Sequence, residues 1–342
     1  MIETAAVVGG SGFTHPLNQT MGGAAPAIPS GRIVGTDNNV RSLLCHEGAS
    51  AASGSLAGKN IAVECTHGHA VLESCIARVD HALIDGTWSR RKDFAGADLL
   101  FMADLVDMAN EKKPGLNLVY LDSPQTLGAV IRQGRGDAGS TRYIVNVGNG
   151  GIHFAVIDCL VLNGQASIIL FEPASLDGLG PMKLAIQAES SVFKECLPAN
   201  SHFLIVEMDI QRSLSECGIF SLALGKKLQA EQAALRPLHQ RNIQGEFSGI
   251  SHMSPGDVDG YLPPSLYKHV QGRTRISEYL NANPSAGPVM INKKQQTLLE
   301  RFNERMTQVD GGWFSRSAHD KRRVELTSLR QFFLRSGSSV QV

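Results

Sequence analysis

The segment IHFAVIDCLVLNGQASIILFEPAS, residues 152–175, leaves the chain little conformational choice. Asn163-Gly164 between two apolar runs is a strong short-range hairpin signal, because both residues tolerate the positive φ of a tight two-residue turn. Such a turn pairs Leu162 with Gln165. Counting outward, Ala155 faces Glu172 and His153 faces Ala174. Side chains alternate along a strand, so His153 and Ala155 share a face, and His153 and Glu172 become diagonal neighbours on it. Their Cβ atoms then lie within about 7 Å, close enough for an imidazole–carboxylate hydrogen bond. A turn longer by one residue would put them on opposite faces. Pro173 cannot donate to a ladder, so the strand is expected to end at the carboxylate.

A second stretch, DIQRSLSECGIF (residues 209–220), places Cys217 between two elements. HFLIVEMDI before it is short, apolar and rich in branched residues, the mark of a buried strand. CGIFSLALGKKLQAEQAAL after it carries Ile219, Phe220, Ala223, Leu224 and Leu228 at helical spacing. Cys217 is thus expected at a helix entry, with Ser215 as N-cap. Unpaired N–H groups and the helix dipole favour a thiolate there. A buried, inert cysteine is the plainer reading of the same position. A strand-end His, a carboxylate to orient it and a helix-entry Cys match the Cys/His/acid arrangement of nucleophilic catalysis. Gln211, upstream in the same loop, can donate to an oxyanion, as can backbone N–H groups around Cys217. A satisfied strand histidine, a surface glutamate and a core cysteine remain the structural alternative.

The remaining chain frames these two pieces. Of 342 residues, 42% are hydrophobic and 19% charged, which describes a globular protein, and no apolar run approaches the length of a membrane span. Residues 1–58 are rich in Gly, Ala, Ser and Pro without sustained periodicity and read as a flexible leader. Helical patterns follow at 69–84 and 95–112, then a strand at LNLVYLD, a helix near 124–134 and a strand at RYIVNV. The six cysteines are scattered through a long chain, which argues for free thiols. CTHGH offers Cys65, His67 and His69 but no second ligand pair, so an ordinary helix entry is favoured over a metal site. Net charge is zero but unevenly divided. From Lys226 onward there are 17 Lys and Arg against 10 Asp and Glu. A basic C-terminal third can bind an anion or form a solvated face, and no basic-aromatic pattern points to nucleic acid.

GIHFAVID, ILFEPAS, VEMDIQRSLSECGIFSLALGKKL, YLPPSLYKHVQG and NKKQQTLLERFN together resemble the YopJ family of type III-secreted acetyltransferase effectors, over about residues 70–327. The resemblance implies an α+β fold. Its core is papain-like, of the ubiquitin-like-protease type, with a central sheet flanked by helices and a helical regulatory region. It implies a secretion and chaperone-binding leader at 1–58 and an acetyltransferase domain at 59–335. Within that domain the catalytic core covers about 115–235 and a basic regulatory region about 260–330. Carried over, His153, Glu172 and Cys217 form the triad and Gln211 the oxyanion donor. Acetyl would pass from acetyl-CoA through Cys217 to Ser, Thr or Lys of host signalling or defence proteins, in the host cell cytoplasm after type III secretion.

The family also uses inositol hexakisphosphate as activator, and the basic third fits that need. The matching positions are Lys227, Lys268, His269 and Arg301, with Lys321 and Arg322 in a stretch where Asp320 departs from the pattern. Lys268 equally resembles a lysine that is self-acetylated in relatives. Arg212 and Ser213 resemble a CoA-contacting loop, and Gly311 and Gly312 a second contact, where Trp313 and Phe314 depart from the pattern. The same triad on the same scaffold also suits a cysteine protease or deubiquitinase, and a catalytically silent binding module is the third reading. The hairpin argument has a direct test. Glu172→Gln keeps the shape but loses the charge, and turnover should fall by about 10²–10⁴. Wild-type turnover in that variant would make Glu172 structural.

Overall fold

The computed structural model describes residues 60–134, 139–196, 200–309 and 311–336, with side chains from residue 68 onward; the leader expected at 1–58 lies outside them. In chain order the elements are α1 (Asn60–Asp85), α2 (Asp93–Lys112), β1 (Leu118–Leu121), α3 (Leu127–Gly134), β2 (Ser140–Asn146), β3 (Phe154–Leu162) and β4 (Gln165–Glu172). They continue with α4 (Leu179–Glu195), β5 (Ser201–Glu207), α5 (Cys217–Ala230), α6 (Gln232–Ile243), α7 (Pro255–Val258) and α8 (Arg273–Ala282). The chain closes with α9 (Leu298–Glu304), β6 (Met306–Val309), β7 (Gly312–Ser315) and α10 (Ser317–Ser336).

Strands β1 to β5 form one sheet in sequence order, and β6 and β7 form a separate antiparallel pair. In the large sheet the central β2–β3 and β3–β4 pairs are antiparallel and the outer β1–β2 and β4–β5 pairs are parallel. Both faces are covered, so the strands read as near-continuous apolar runs. Phe154, Val156, Ile169 and Phe171 pack into one core with residues of α2, α5 and α10. Ala155, Ile157, Ile168 and Leu170 pack into the other with Leu127 and Ile131 of α3 and Leu184 and Ala188 of α4. Helix α5 is buried from Cys217 through Gly225. A helix apolar all round belongs in an interior, and this one lies between the sheet and the outer helices.

The hairpin has the expected register: Leu162 pairs Gln165, and Val156 pairs Phe171. Asn163 and Gly164 have φ of 51° and 78°, the paired positive values of a type I′ turn. Strand β4 stops at Glu172 as expected. Two local expectations are corrected. The strand over HFLIVEMDI ends at Glu207, because Met208 then bonds the Glu172 carbonyl and Ile210 and Gln211 bond that of Pro173. Glu216 rather than Ser215 stands at the N-cap of α5, with no side-chain cap of its own. The Ile219 N–H is instead satisfied from another helix, by Asp98 of α2 at 3.2 Å.

No helix among the described residues is long and apolar enough to cross a membrane. Cys75, Cys159, Cys196 and Cys217 form no disulfide. His69 of CTHGH rests edge-on against Phe333, the side chains of Cys65 and His67 lie outside the described residues, and no group of three potential metal ligands occurs among those described.

The hairpin turn yields a stability prediction. A Cβ at Gly164 would meet nothing within 4 Å, so substitution there costs backbone strain alone. Gly164→Ala should destabilise by about 1–2 kcal/mol. Urea unfolding should show a lower midpoint with an unchanged slope.

Candidate active site

The site forms where β3 begins, β4 ends and α5 enters the core. His153 precedes β3, and its carbonyl is gripped by the Val147 N–H at 3.0 Å and the Asn146 amide at 3.0 Å. The same amide holds the Gly151 carbonyl at 2.9 Å, which shapes the loop that delivers the imidazole. His153 Nε2 lies 2.8 Å from Glu172 Oε2. The other oxygen of Glu172 accepts the Ala174 N–H at 2.9 Å, and the carboxylate is fully buried. The Cys217 thiol neighbours His153, and its Sγ donates to the Ile152 carbonyl oxygen at 3.2 Å. Burial by itself would lower the His153 pKa; the Glu172 charge and the neighbouring Cys217 outweigh it and raise the value to about 10.

Gln211 is buried in the loop before Cys217, where its Nε2 donates to the Ser213 carbonyl at 2.8 Å, leaving its second amide hydrogen unassigned. Arg212 and Ser213 donate their backbone N–H groups to Gln271 Oε1 at 2.6 and 3.0 Å. Both residues, with Gly312, line a cavity of about 270 Å³ whose other walls include Trp88, Gln271 and Phe314. Three of the four residues matched to a CoA contact thus meet at one cavity, and Phe314, a departure from the pattern, belongs to its wall. Gly311 has a φ of 78° and does not line it.

The basic third condenses into a cluster. The Lys268 ammonium is pushed down to about 8, by burial first and then by Lys227, Arg301 and Lys321. His269 is held well below its ordinary value by burial and by the cations Lys268, Lys321 and Arg301, and its Nδ1 lies 2.8 Å from Ser317 Oγ. Arg301 donates to that hydroxyl at 3.2 Å and pairs with Glu304. Lys321 pairs with Glu325, and so does Lys226.

Arg322 is placed elsewhere, which corrects its assignment as a phosphate contact. It is fully buried and bonds both oxygens of Asp98 at 2.8 Å and the Ser215 carbonyl. Its guanidinium is spent on the entry of α5.

Several residues around the site escape sequence reading. Asp98 sits on the apolar stripe of α2 between Phe94 and Phe101, and Arg322 on that of α10 between Ala318 and Leu326. A charge on the buried face of a helix was the available signal. Glu216 and Gln271 had none, since their partners are remote in sequence. Gly218 is tied to Asp98: a Cβ there would lie 2.7 Å from the Asp98 Cβ, so only glycine lets α5 approach α2 this closely.

The profile of the YopJ serine/threonine acetyltransferases matches residues 72–328. A serine/threonine-protein acetyltransferase YopJ of Yersinia pestis is 44% identical over 260 residues, 75% of this chain and 90% of that one. Its Yersinia pseudotuberculosis counterpart is 43% identical over the same share. A solved AvrA variant with IP6 and CoA superposes with a TM-score of 0.72 at 42% identity, covering 76% of this chain and 98% of that one. HopZ1a, solved with IP6 and CoA, is 18% identical with a TM-score of 0.60, covering 79% and 99%, and shares the fold. The chain belongs to the YopJ serine/threonine acetyltransferase family. Its fold is the expected α+β arrangement, a central sheet flanked by helices.

The raised pKa of His153 has a definite pH signature. The folded value lies above the ordinary 6.5, so the pair's stabilisation is complete below about pH 6.5 and is lost as pH rises through about 10. Melting temperature should fall over that window in the wild type and fall less in Glu172→Gln. Imidazole NMR titration should show the His153 midpoint moving down in that variant.

Proposed function

We propose that this chain transfers acetyl from acetyl-CoA to protein side chains through an acyl-enzyme on Cys217. The observation that carries the reading is the buried Glu172–His153 hydrogen bond beside the Cys217 thiol at the entry of α5. His153 takes the thiol proton, and the Cys217 sulfur attacks the thioester carbonyl. Backbone N–H groups at the α5 entry, with the remaining amide hydrogen of Gln211, stabilise the oxyanion. The C–S bond to CoA breaks, and His153 returns its proton to the departing CoA sulfur. An acceptor hydroxyl or amine then attacks acetyl-Cys217 while neutral His153 takes its proton. Cys217 leaves as thiolate and the imidazolium is restored. Thiol exchange is nearly neutral in free energy, so the acyl-enzyme forms without a steep thermodynamic cost.

The cavity lined by Arg212, Ser213 and Gly312 fits the CoA portion of the donor, and Trp88 and Phe314 give it apolar walls. The acceptors are Ser, Thr or Lys residues of host signalling or defence proteins, reached in the host cytoplasm after type III delivery, for which a chaperone would hold the leader at 1–58. Residues from about 260 to 330 act as the regulatory region of the 59–335 domain.

Inositol hexakisphosphate fits the cluster of Lys227, Lys268, His269, Arg301 and Lys321. Among the described residues Lys227 and Lys268 make no ion pair, and like charges depress Lys268. A polyanion supplies the missing counter-charge and stabilises the closed form in proportion to its concentration over Kd. The effect should weaken as salt rises.

Mass spectrometry after incubation with labelled acetyl-CoA should find one acetyl on the Cys217 peptide in the wild type and none in Cys217→Ala or His153→Ala. Transfer to substrate that persists in Cys217→Ala would overturn the reading. In a parallel thermal-shift titration, inositol hexakisphosphate should raise the melting temperature of the wild type and have a blunted effect on Lys268→Gln and Arg301→Gln. A wild type that shows no shift, yet acetylates normally, would remove the regulatory part and leave the chemistry standing.

A further inference from the structure

Directly before the nucleophile stands a second fully buried carboxylate, Glu216, which the transfer chemistry does not use. Its Oε2 accepts the Ser213 hydroxyl at 2.6 Å and also the Nε2 of Gln271, itself fully buried. Its Oε1 faces His319 Nδ1 at 3.3 Å and Arg322 at 3.6 Å, both on α10. The other end of the Gln271 amide, Oε1, accepts the backbone N–H groups of Arg212 and Ser213. The Gln271 backbone is fastened in turn, its N–H to the Ile210 carbonyl and its carbonyl to the Ser315 N–H. One buried amide therefore has a carboxylate at its donor end and the wall of the donor cavity at its acceptor end.

We propose that Glu216 and Gln271 are a positioning pair that fixes the Arg212–Ser213 wall of the donor cavity in register with the Cys217 helix. The physical reason lies in direction. An amide has a donor end and an acceptor end, and Glu216, acceptor-only, dictates which end faces it. Gln271 is thereby forced to present oxygen to the two loop N–H groups. If the amide turned over, its NH₂ would meet two N–H donors, and a buried carboxylate would meet a carbonyl. Buried polar groups left unmatched in this way are expensive, so the pair holds one loop conformation. Because Arg322 of α10 lies 3.6 Å from the far oxygen of Glu216 as its counter-charge, the position of α10 is read into the same wall.

This inference rests on the acetyl-transfer reading, and the test separates the two. Gln271→Glu keeps the acceptor for Arg212 and Ser213 but sets carboxylate against carboxylate at Glu216. The KM for acetyl-CoA should rise about tenfold or more. Adding Glu216→Gln to Gln271→Glu reverses the donor and acceptor across the pair. The amide introduced at position 216 can then donate to the carboxylate introduced at position 271 while turning its oxygen toward Arg322. The double variant should recover most of the lost KM, with kcat and the rate of Cys217 alkylation by iodoacetamide changing less than KM across the set.

Gln271→Met, which has neither end of the amide, serves where Gln271→Glu does not fold and should raise KM in the same way. A rise in KM rescued by the double variant supports the pair. An unchanged KM in folded Gln271→Glu or Gln271→Met overturns it, as does equal loss of kcat, KM and stability with no rescue. A wild type that forms no acetyl-Cys217 would sink the acetyl-transfer reading itself, whereas normal acyl-enzyme with an insensitive Gln271 sinks only this inference.

Discussion

Helix α5 begins inside the protein, and the fold is arranged around that fact. The first N–H groups of any helix lack intrahelical partners, and in an apolar interior each unsatisfied one is costly. Here no local side chain caps the helix. Asp98 crosses from α2 to take the Ile219 N–H, and the charge this buries is matched by the bidentate Arg322 of α10. Burial pushes the Asp98 pKa up; Arg322 opposes that shift, and the neighbouring Glu216 adds to it. Removing either member of such a pair strands a charge in the core. Three helices separated by most of the chain are thus bound at the point where the Cys217 thiol enters.

Two physically different constructions meet at the thiol. The imidazole side is local: one hairpin, one register and one strand end bring His153 to Glu172. The thiol side is assembled from afar, by Asp98, Gln271, His319 and Arg322, none of them near Cys217 in sequence. The first needs only a correct turn. The second exists only when the whole domain is packed, so the position of the sulfur depends on every layer around it.

Helix α10 joins this interior to the basic surface. Lys321 adds its charge to the cluster that depresses Lys268, and the next residue, Arg322, turns inward to Asp98. A helix cannot shift one of these residues without moving the other. Lys227 and Lys268, which make no ion pair among the described residues, repel one another on that face, while the Arg322 pair binds α10 to α2 on the other.

The hairpin, its register, the meeting of His153 with Glu172 and the helix that opens at Cys217 were legible from the residues alone. Each of these depends on contacts a few residues apart or across one tight turn, where alternation and helical period are decisive. The long motifs likewise carried the family and the membership of most of the basic cluster. Tertiary structure alone decided that Ser215 is not the cap, that Arg322 is a core residue and that Arg212, Ser213 and Gly312 share a cavity wall. Asp98 and Arg322 were visible only as charges on apolar stripes, with no sign of which would pair. Periodicity tells which way a side chain points along its own element. It does not say which remote element will lie opposite, and burial of a charge is settled only by the partner it meets there.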